Sequence, residues 1–182
     1  MKLCMFKFSL LIICALLFIG CSSEKNIDPT AKIEVKRLAK ELIDATVAGN
    51  YNKVIEHTYP TVVNALGGQT QAIKTLETSM KNEIKDKGMI ISSFQVGEPG
   101  IFYTEDNNMF SVLPTTLEMK IVGGNVFAKS YLLGISPDGG KSWKFVDGFD
   151  LHKQNVREKL LPKMPAKLKL PVLSPPVITK EK

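Results

Sequence analysis

From Thr30 to Ala48 the inward positions are Val35, Leu38, Ala39, Leu42, Ile43 and Thr46. That three-and-four spacing predicts an amphipathic helix. Asp28-Pro29 supplies its start, an N-cap carboxylate followed by a proline at the first helical position. Gly49-Asn50 supplies its end. A second, shorter helix is predicted over 51–58, with Val54, Ile55 and Thr58 inward, and Tyr59-Pro60 breaks it. Residues 61–66 form another helical turn, stopped by Gly67-Gly68. A third long pattern covers Gln69 to Asp86, where Ile73, Leu76, Met80 and Ile84 make one stripe before Lys87-Gly88.

After Gly88 the period changes from 3.6 to 2. Strands are predicted over 89–97, 101–104, 109–122, 126–136 and 142–151. In the long strand from Met109, Leu113, Thr115, Leu117, Met119 and Ile121 alternate with Pro114, Thr116, Glu118 and Lys120. Pro114 has no N–H to give a ladder, so it predicts a bulge or a local edge. Gly123-Gly124-Asn125 reads as a hairpin connection. Val126 to Ser136 is apolar on both faces, as in a strand covered on both sides. In the last strand Trp143, Phe145, Phe149 and Leu151 alternate, which would set Asp150 on the face of Lys144, Val146 and His152; Asp147-Gly148 reads alternatively as a bulge or bend. Gln154 to Leu161 is a final helical turn. Helices first and antiparallel strands afterwards predict an α+β fold, N-terminal helices packed on a curved antiparallel sheet over 30–161.

The segments outside that domain read differently. Met1 to Lys7 carries Lys2, Lys7 and no acid, and Phe8 to Ile19 is apolar throughout except Ser9. A bilayer-spanning helix needs about 20 apolar residues, so this shorter run after a positive start has the form of a secretion signal. Gly20-Cys21-Ser22 follows. The junction Phe18-Ile19-Gly20-Cys21 resembles a lipobox, with Phe18 where that pattern usually has leucine. The resemblance implies cleavage before Cys21, at least two lipid chains on it (diacylglycerol on the thiol), and, from Ser22, transfer to the outer membrane in a Gram-negative cell. A plain secretory signal beside a coincidental cysteine and an uncleaved anchor are the other readings of the run. On the lipobox reading, residues 1–20 are the leader and 21–29 a short tether. Residues 162–182 are a tail rich in Pro162, Pro165, Pro171, Pro175, Pro176 and lysines, expected to be extended and weakly ordered.

Cysteine usage narrows the chemistry. Cys4, Cys14 and Cys21 are the three cysteines. With Cys21 lipidated, no disulfide framework, thiolate metal site or cysteine nucleophile is left. Net charge is +6, and setting aside Lys2 and Lys7 leaves +4, too little and too scattered to predict nucleic-acid binding.

The order of elements resembles the nuclear transport factor 2-like cone, the scaffold also of ketosteroid isomerases and polyketide cyclases. His57-Thr58-Tyr59-Pro60, Gly67-Gly68, Val112-Leu113-Pro114 and the segment Ile135 to Gly148 are similar to an uncharacterised group of bacterial lipoproteins with that fold. Ser136-Pro137-Asp138-Gly139-Gly140-Lys141-Ser142-Trp143 also resembles an Asp-box hairpin. Its single occurrence excludes a propeller, and its expected role is a structural turn.

The resemblance implies that a cavity between helices and sheet is where chemistry would lie. In such a cone, a pocket-facing carboxylate serves as a general base when burial raises its pKa. Asp150 and His57 are the candidates, with Tyr59 as hydrogen-bond donor; Asp147 lies in the same strand as Asp150, and Tyr51, Tyr103 and Tyr131 are further candidate donors. For each, a place in the core or at the surface is the plainer expectation. His57 and His152, the two histidines, have no ligand spacing around them, so no metal is expected. With no phosphate loop or dinucleotide fingerprint, no cofactor is expected either.

The resulting expectation is a lipid-anchored envelope protein with a non-catalytic ligand-binding or protein-interaction domain. The alternative is a small-molecule enzyme of isomerase, cyclase or dehydratase type. Membrane lipid through Cys21 is the first expected partner. The basic tail suits anionic lipid or cell-wall polymer, and an open sheet face would make a homodimer. The expected location is the periplasmic face of the outer membrane, or the outer face of the cytoplasmic membrane in a cell with one membrane. Replacing Cys21 by serine is expected to abolish both fatty-acid labelling and membrane retention; a variant that still incorporates labelled palmitate contradicts the lipid assignment.

Overall fold

A computed structural model describes residues 28–161 and 164–180. Cys21, the leader and most of the tether lie outside the described residues. The fold is α+β, N-terminal helices followed by a curved antiparallel sheet that does not close.

α1 (Pro29–Val47) begins where the sequence predicts, with the Asp28 carboxylate accepting from Thr30 N at 2.9 Å. It buries Val35, Ala39, Leu42 and Ile43. α2 (Tyr51–His57), α3 (Pro60–Ala65) and α4 (Gln69–Lys87) follow at the expected places. α4 packs chiefly on α2 and α3.

Strands β1 (Ile90–Val96), β3 (Asn108–Ile121), β4 (Gly124–Ser136) and β5 (Lys144–Asp147) lie in that order across the sheet. β2 (Phe102–Glu105) pairs with the first part of β3 and β1 with the rest. Pro114 stands at the seam between them, where its carbonyl accepts from Gly97 N at 2.8 Å. No neighbouring strand needs an N–H there, so the proline is tolerated in an interior strand. The β3–β4 turn is Val122-Gly123, one residue earlier than the predicted connection, and Gly124 already pairs.

From Tyr131 to Ser136, β4 is buried on both faces. Leu132, with Leu113 and Phe145, lies under α1. Leu133, with Tyr131, Ile135 and Val146, lies under Val62, Leu151, Leu160 and Leu168. Two covers therefore share one sheet, α1 on one side and, on the other, the chain after β5 together with Val62 of α3.

The predicted last strand is corrected at its second half. The ladder ends at Asp147, and Gly148–Leu151 turns into a helix, α5. Asp147 caps it by accepting from Phe149 N at 2.8 Å. Gly148 lies so close to the Tyr131 ring that a Cβ would stand 2.7 Å from it. Alternation therefore stops. Leu151 is buried, Phe149 is 46% exposed, and Asp150 leaves the face of Lys144 and Val146. α6 (Gln154–Leu160) follows.

The proline-rich tail is extended, as its composition predicts, but it is held down rather than solvated. Leu168 is buried, and Met164, Leu170 and Leu173 pack against the second face. β6 (Val177–Lys180) pairs with the start of β4. Leucines spaced between the prolines and lysines decide this, because an extended segment can still lay alternate side chains on an apolar surface.

The Asp138 hairpin is the structural turn expected. Asp138 accepts from Lys141 N, Ser142 N, Ser136 Oγ and Ser142 Oγ at 2.7–3.1 Å. Trp143 Nε1 donates to Gly140 O at 3.0 Å, and the buried indole meets Phe102 edge to face. Partial burial pushes the Asp138 carboxyl up, but the hydrogen bonds from Ser142, Ser136 and Lys141 outweigh it and hold it at about 2. This folded value lies below the unfolded 3.8, so its stabilisation is full above that value and lost as pH falls towards 2. Asp138→Ala is expected to cost about 1–2 kcal/mol at pH 7, after allowance for solvent screening. Urea denaturation should show the deficit shrinking in acid; a deficit that is the same at low pH contradicts the carboxylate's role.

Candidate functional site

Between the helices and the first sheet face lies a cavity of about 220 Å³. α1 contributes Leu42, Ile43 and Thr46; α2 contributes Val54 and Ile55; Leu66 and Leu76 close it from α3's end and α4. Leu132 and Phe145 form its sheet wall, and Asp147 and Asp150 its polar end. The threonines here spend their hydroxyls on helix carbonyls, Thr46 on Leu42 O at 2.9 Å and Thr58 on Val54 O at 2.8 Å. The two carboxylates are therefore the charged groups of an otherwise apolar lining.

Their environment shifts both upward. Burial pushes Asp147 up to about 6, against the pull of its bond from Phe149 N and with a further push from Asp150. Burial also raises Asp150, opposed by His152. Asp150 keeps open contact with solvent, although protein crowds it on the other sides, so water screens it more than Asp147. Two neighbouring carboxylates at the end of an apolar cavity favour a donor or a cation placed between them.

The other sequence candidates do not converge on this cavity. His57 is buried between α2 and α1, its Nε2 without a hydrogen bond and 3.5 Å from Glu41 Oε2. Burial lowers its pKa; Glu41 and Glu56 oppose this, while Lys144 and Lys53 add to it. Tyr59 is drawn past the edge of β5, its N donating to Phe145 O at 2.8 Å beside the Thr58–Phe145 bridge. Its side chain packs on the second sheet face. Of the trio Asp150, His57 and Tyr59, only Asp150 lines the cavity. Asp147-Gly148 is the bend that the glycine allows, but the desolvation of the Asp147 carboxylate depends on distant neighbours that the local pattern does not show.

A larger groove of about 700 Å³ runs between α1 and β1. Its cations are already matched: Lys36 to Glu98, Arg37 to Glu34 and Glu41, and Lys40 to Asp44. Size alone does not make it the better site. Among the described residues, no three histidine, cysteine or acidic side chains stand together as a metal site. No described helix is long and apolar enough to cross a membrane. Comparison with protein-family models and with curated proteins finds no match for this chain.

The carboxylate shift has a measurable sign. The folded value of Asp147, about 6, lies above its unfolded 3.8, so ionising it weakens the fold as pH rises through that window. Asparagine keeps the cap and removes the charge. Asp147→Asn is expected to match the wild type near pH 4 and to exceed it by about 1–3 kcal/mol at pH 7.5. Chemical denaturation at the two pH values checks this; a less stable variant at pH 7.5 contradicts the buried-carboxylate account.

Proposed function

We propose that this chain is a lipid-anchored envelope protein whose cone-like domain holds a small, mostly apolar ligand without transforming it. The observation that carries the reading is the apolar helix–sheet cavity with Asp147 and Asp150 at one end. Such a lining accepts a compact hydrocarbon body and rewards an amine or another donor at the carboxylate end. Binding stands ahead of catalysis because Asp147 is engaged as the cap of α5 and neither His57 nor Tyr59 reaches the cavity. The lipobox-like junction at Cys21, with only a short tether before α1, supports a domain held close to a membrane face. The cover on both faces of β4 argues against assembly through the central sheet.

A second reading rests on one fact, the Asp147 carboxyl held at about 6. A base with that value takes a carbon-bound proton near neutral pH, as in an isomerase of the cone scaffold. Solvent-proton exchange into the α-positions of cyclohexanone, followed by NMR, tests it; the reading requires catalysis rising through pH 6 and lost in Asp147→Asn.

For the binding reading, the full chain in nanodiscs is expected to be stabilised against heat by millimolar cyclohexylamine and not by cyclohexanecarboxylate. Stabilisation follows the logarithm of ligand concentration over Kd. Replacing both Asp147 and Asp150 by asparagine should remove the preference. Equal response to the amine and the acid overturns the reading.

A further inference from the structure

On the opposite side of the sheet, β4, α5 and α6 meet residues 170–176, and a groove of about 540 Å³ opens between them. Its polar side chains are Arg157, Tyr131, His152 and Ser174. Arg157 is half-buried and joined to no carboxylate among the described residues. The contrast with Arg37, the other arginine of the chain, is direct, since Arg37 is bridged to Glu34 and Glu41. The Tyr131 ring is 2% exposed, and no described residue hydrogen-bonds to its hydroxyl. His152 places Nδ1 against Phe149 O, which leaves Nε2 for another partner. Leu170 and Leu173 form apolar walls, and Phe149, exposed at 46%, stands in the same lining.

We propose that this groove binds an anionic amphiphile, its head group on Arg157 and Tyr131 and its hydrocarbon chain along Phe149, Leu170 and Leu173. A half-buried guanidinium without an acid loses hydration and gains nothing in return. Its planar fork suits a carboxylate or a phosphate, which restores that loss through two charge-assisted bonds. The Tyr131 hydroxyl adds a neutral donor beside it. Burial raises the pKa of that hydroxyl, Arg157 opposes the shift and Asp147 adds to it, so the phenol keeps its proton to donate. Asp147 itself lines the first cavity and holds Phe149 N, so no carboxylate of the described residues is paired with the cation of this groove. Prolines 171, 175 and 176 stiffen the wall before any ligand arrives, which lowers the ordering cost of binding. The site is separate from the Asp147 cavity, and the two stand or fall independently.

Octanoate and octyl phosphate share the required chemistry, while octanol has the chain alone. Calorimetric titration of the full chain in zwitterionic nanodiscs, with empty nanodiscs subtracted, reads all three. At least one anion is expected to saturate a single site, with affinity falling about tenfold in Arg157→Gln. Arg157→Lys should fall between, because it keeps the charge and loses the fork. Phe149→Ala, at an exposed position, should weaken both anions without unfolding the domain. The tighter of the two anions identifies the head group as carboxylate or phosphate. Anion affinities unchanged in Arg157→Gln, no saturable anion binding, or octanol binding as tightly as the anions overturns the proposal.

Discussion

The architecture depends on the second half of β4, Tyr131 to Ser136, being buried on both of its faces. Leu132 and Leu133 are neighbours in sequence and point to opposite covers. Each fully buried leucine contributes about 1.5–3 kcal/mol when shielded from water, so neither face is left bare cheaply. α1 covers one face through Val35, Ala39 and Leu42, and the chain after β5 returns to cover the other through Leu151, Leu160 and Leu168. The tail from Met164 to Leu173 is thereby part of the packing, and the proline-rich run is held as a wall.

The return requires the chain to leave the sheet abruptly, and Asp147-Gly148 is where it does. Gly148 permits the close approach to Tyr131, and Asp147 starts α5 by capping Phe149 N. One break has effects on both faces. On the first, it leaves Asp147 half-buried near Asp150 at the end of an apolar cavity, where desolvation opposes ionisation. On the second, it leads into α6 and places Arg157 across from Tyr131. The two candidate sites are consequences of the same turn, yet their chemistry is opposite in sign.

Much of the fold was legible in the sequence. Helix starts and stops at Asp28-Pro29, Gly49-Asn50 and Tyr59-Pro60 are local matters of capping and steric clash. The strand periods through β3 and β4, and the hairpin built on Asp138 and Trp143, are equally local. The site was legible only in part. Asp150 lines the cavity, but alternation does not show this, because the strand ends at Asp147 and a helix carries Asp150 off the face of Lys144 and Val146. His57 and Tyr59 satisfied the residue types that acid–base chemistry needs, but the Tyr59–Phe145 backbone bond carries Tyr59 to the other face. Arg157 gave no signal at all, since an arginine on a short helix is unremarkable until the acids around it are known.

By itself, the sequence determined the α+β class, the order and approximate limits of most elements, the Asp138 turn, and the absence of cysteine chemistry after residue 21. These follow from interactions spanning a few residues, where side-chain type and spacing suffice. The tertiary structure alone decided that the half-buried Asp147 carboxylate is desolvated, that the tail packs, and that Arg157 shares a groove with Tyr131 and has no acid partner among the described residues. Each depends on which distant surface a segment meets. Desolvation and charge pairing are sums over all neighbours in space, and most of those neighbours are far away along the chain.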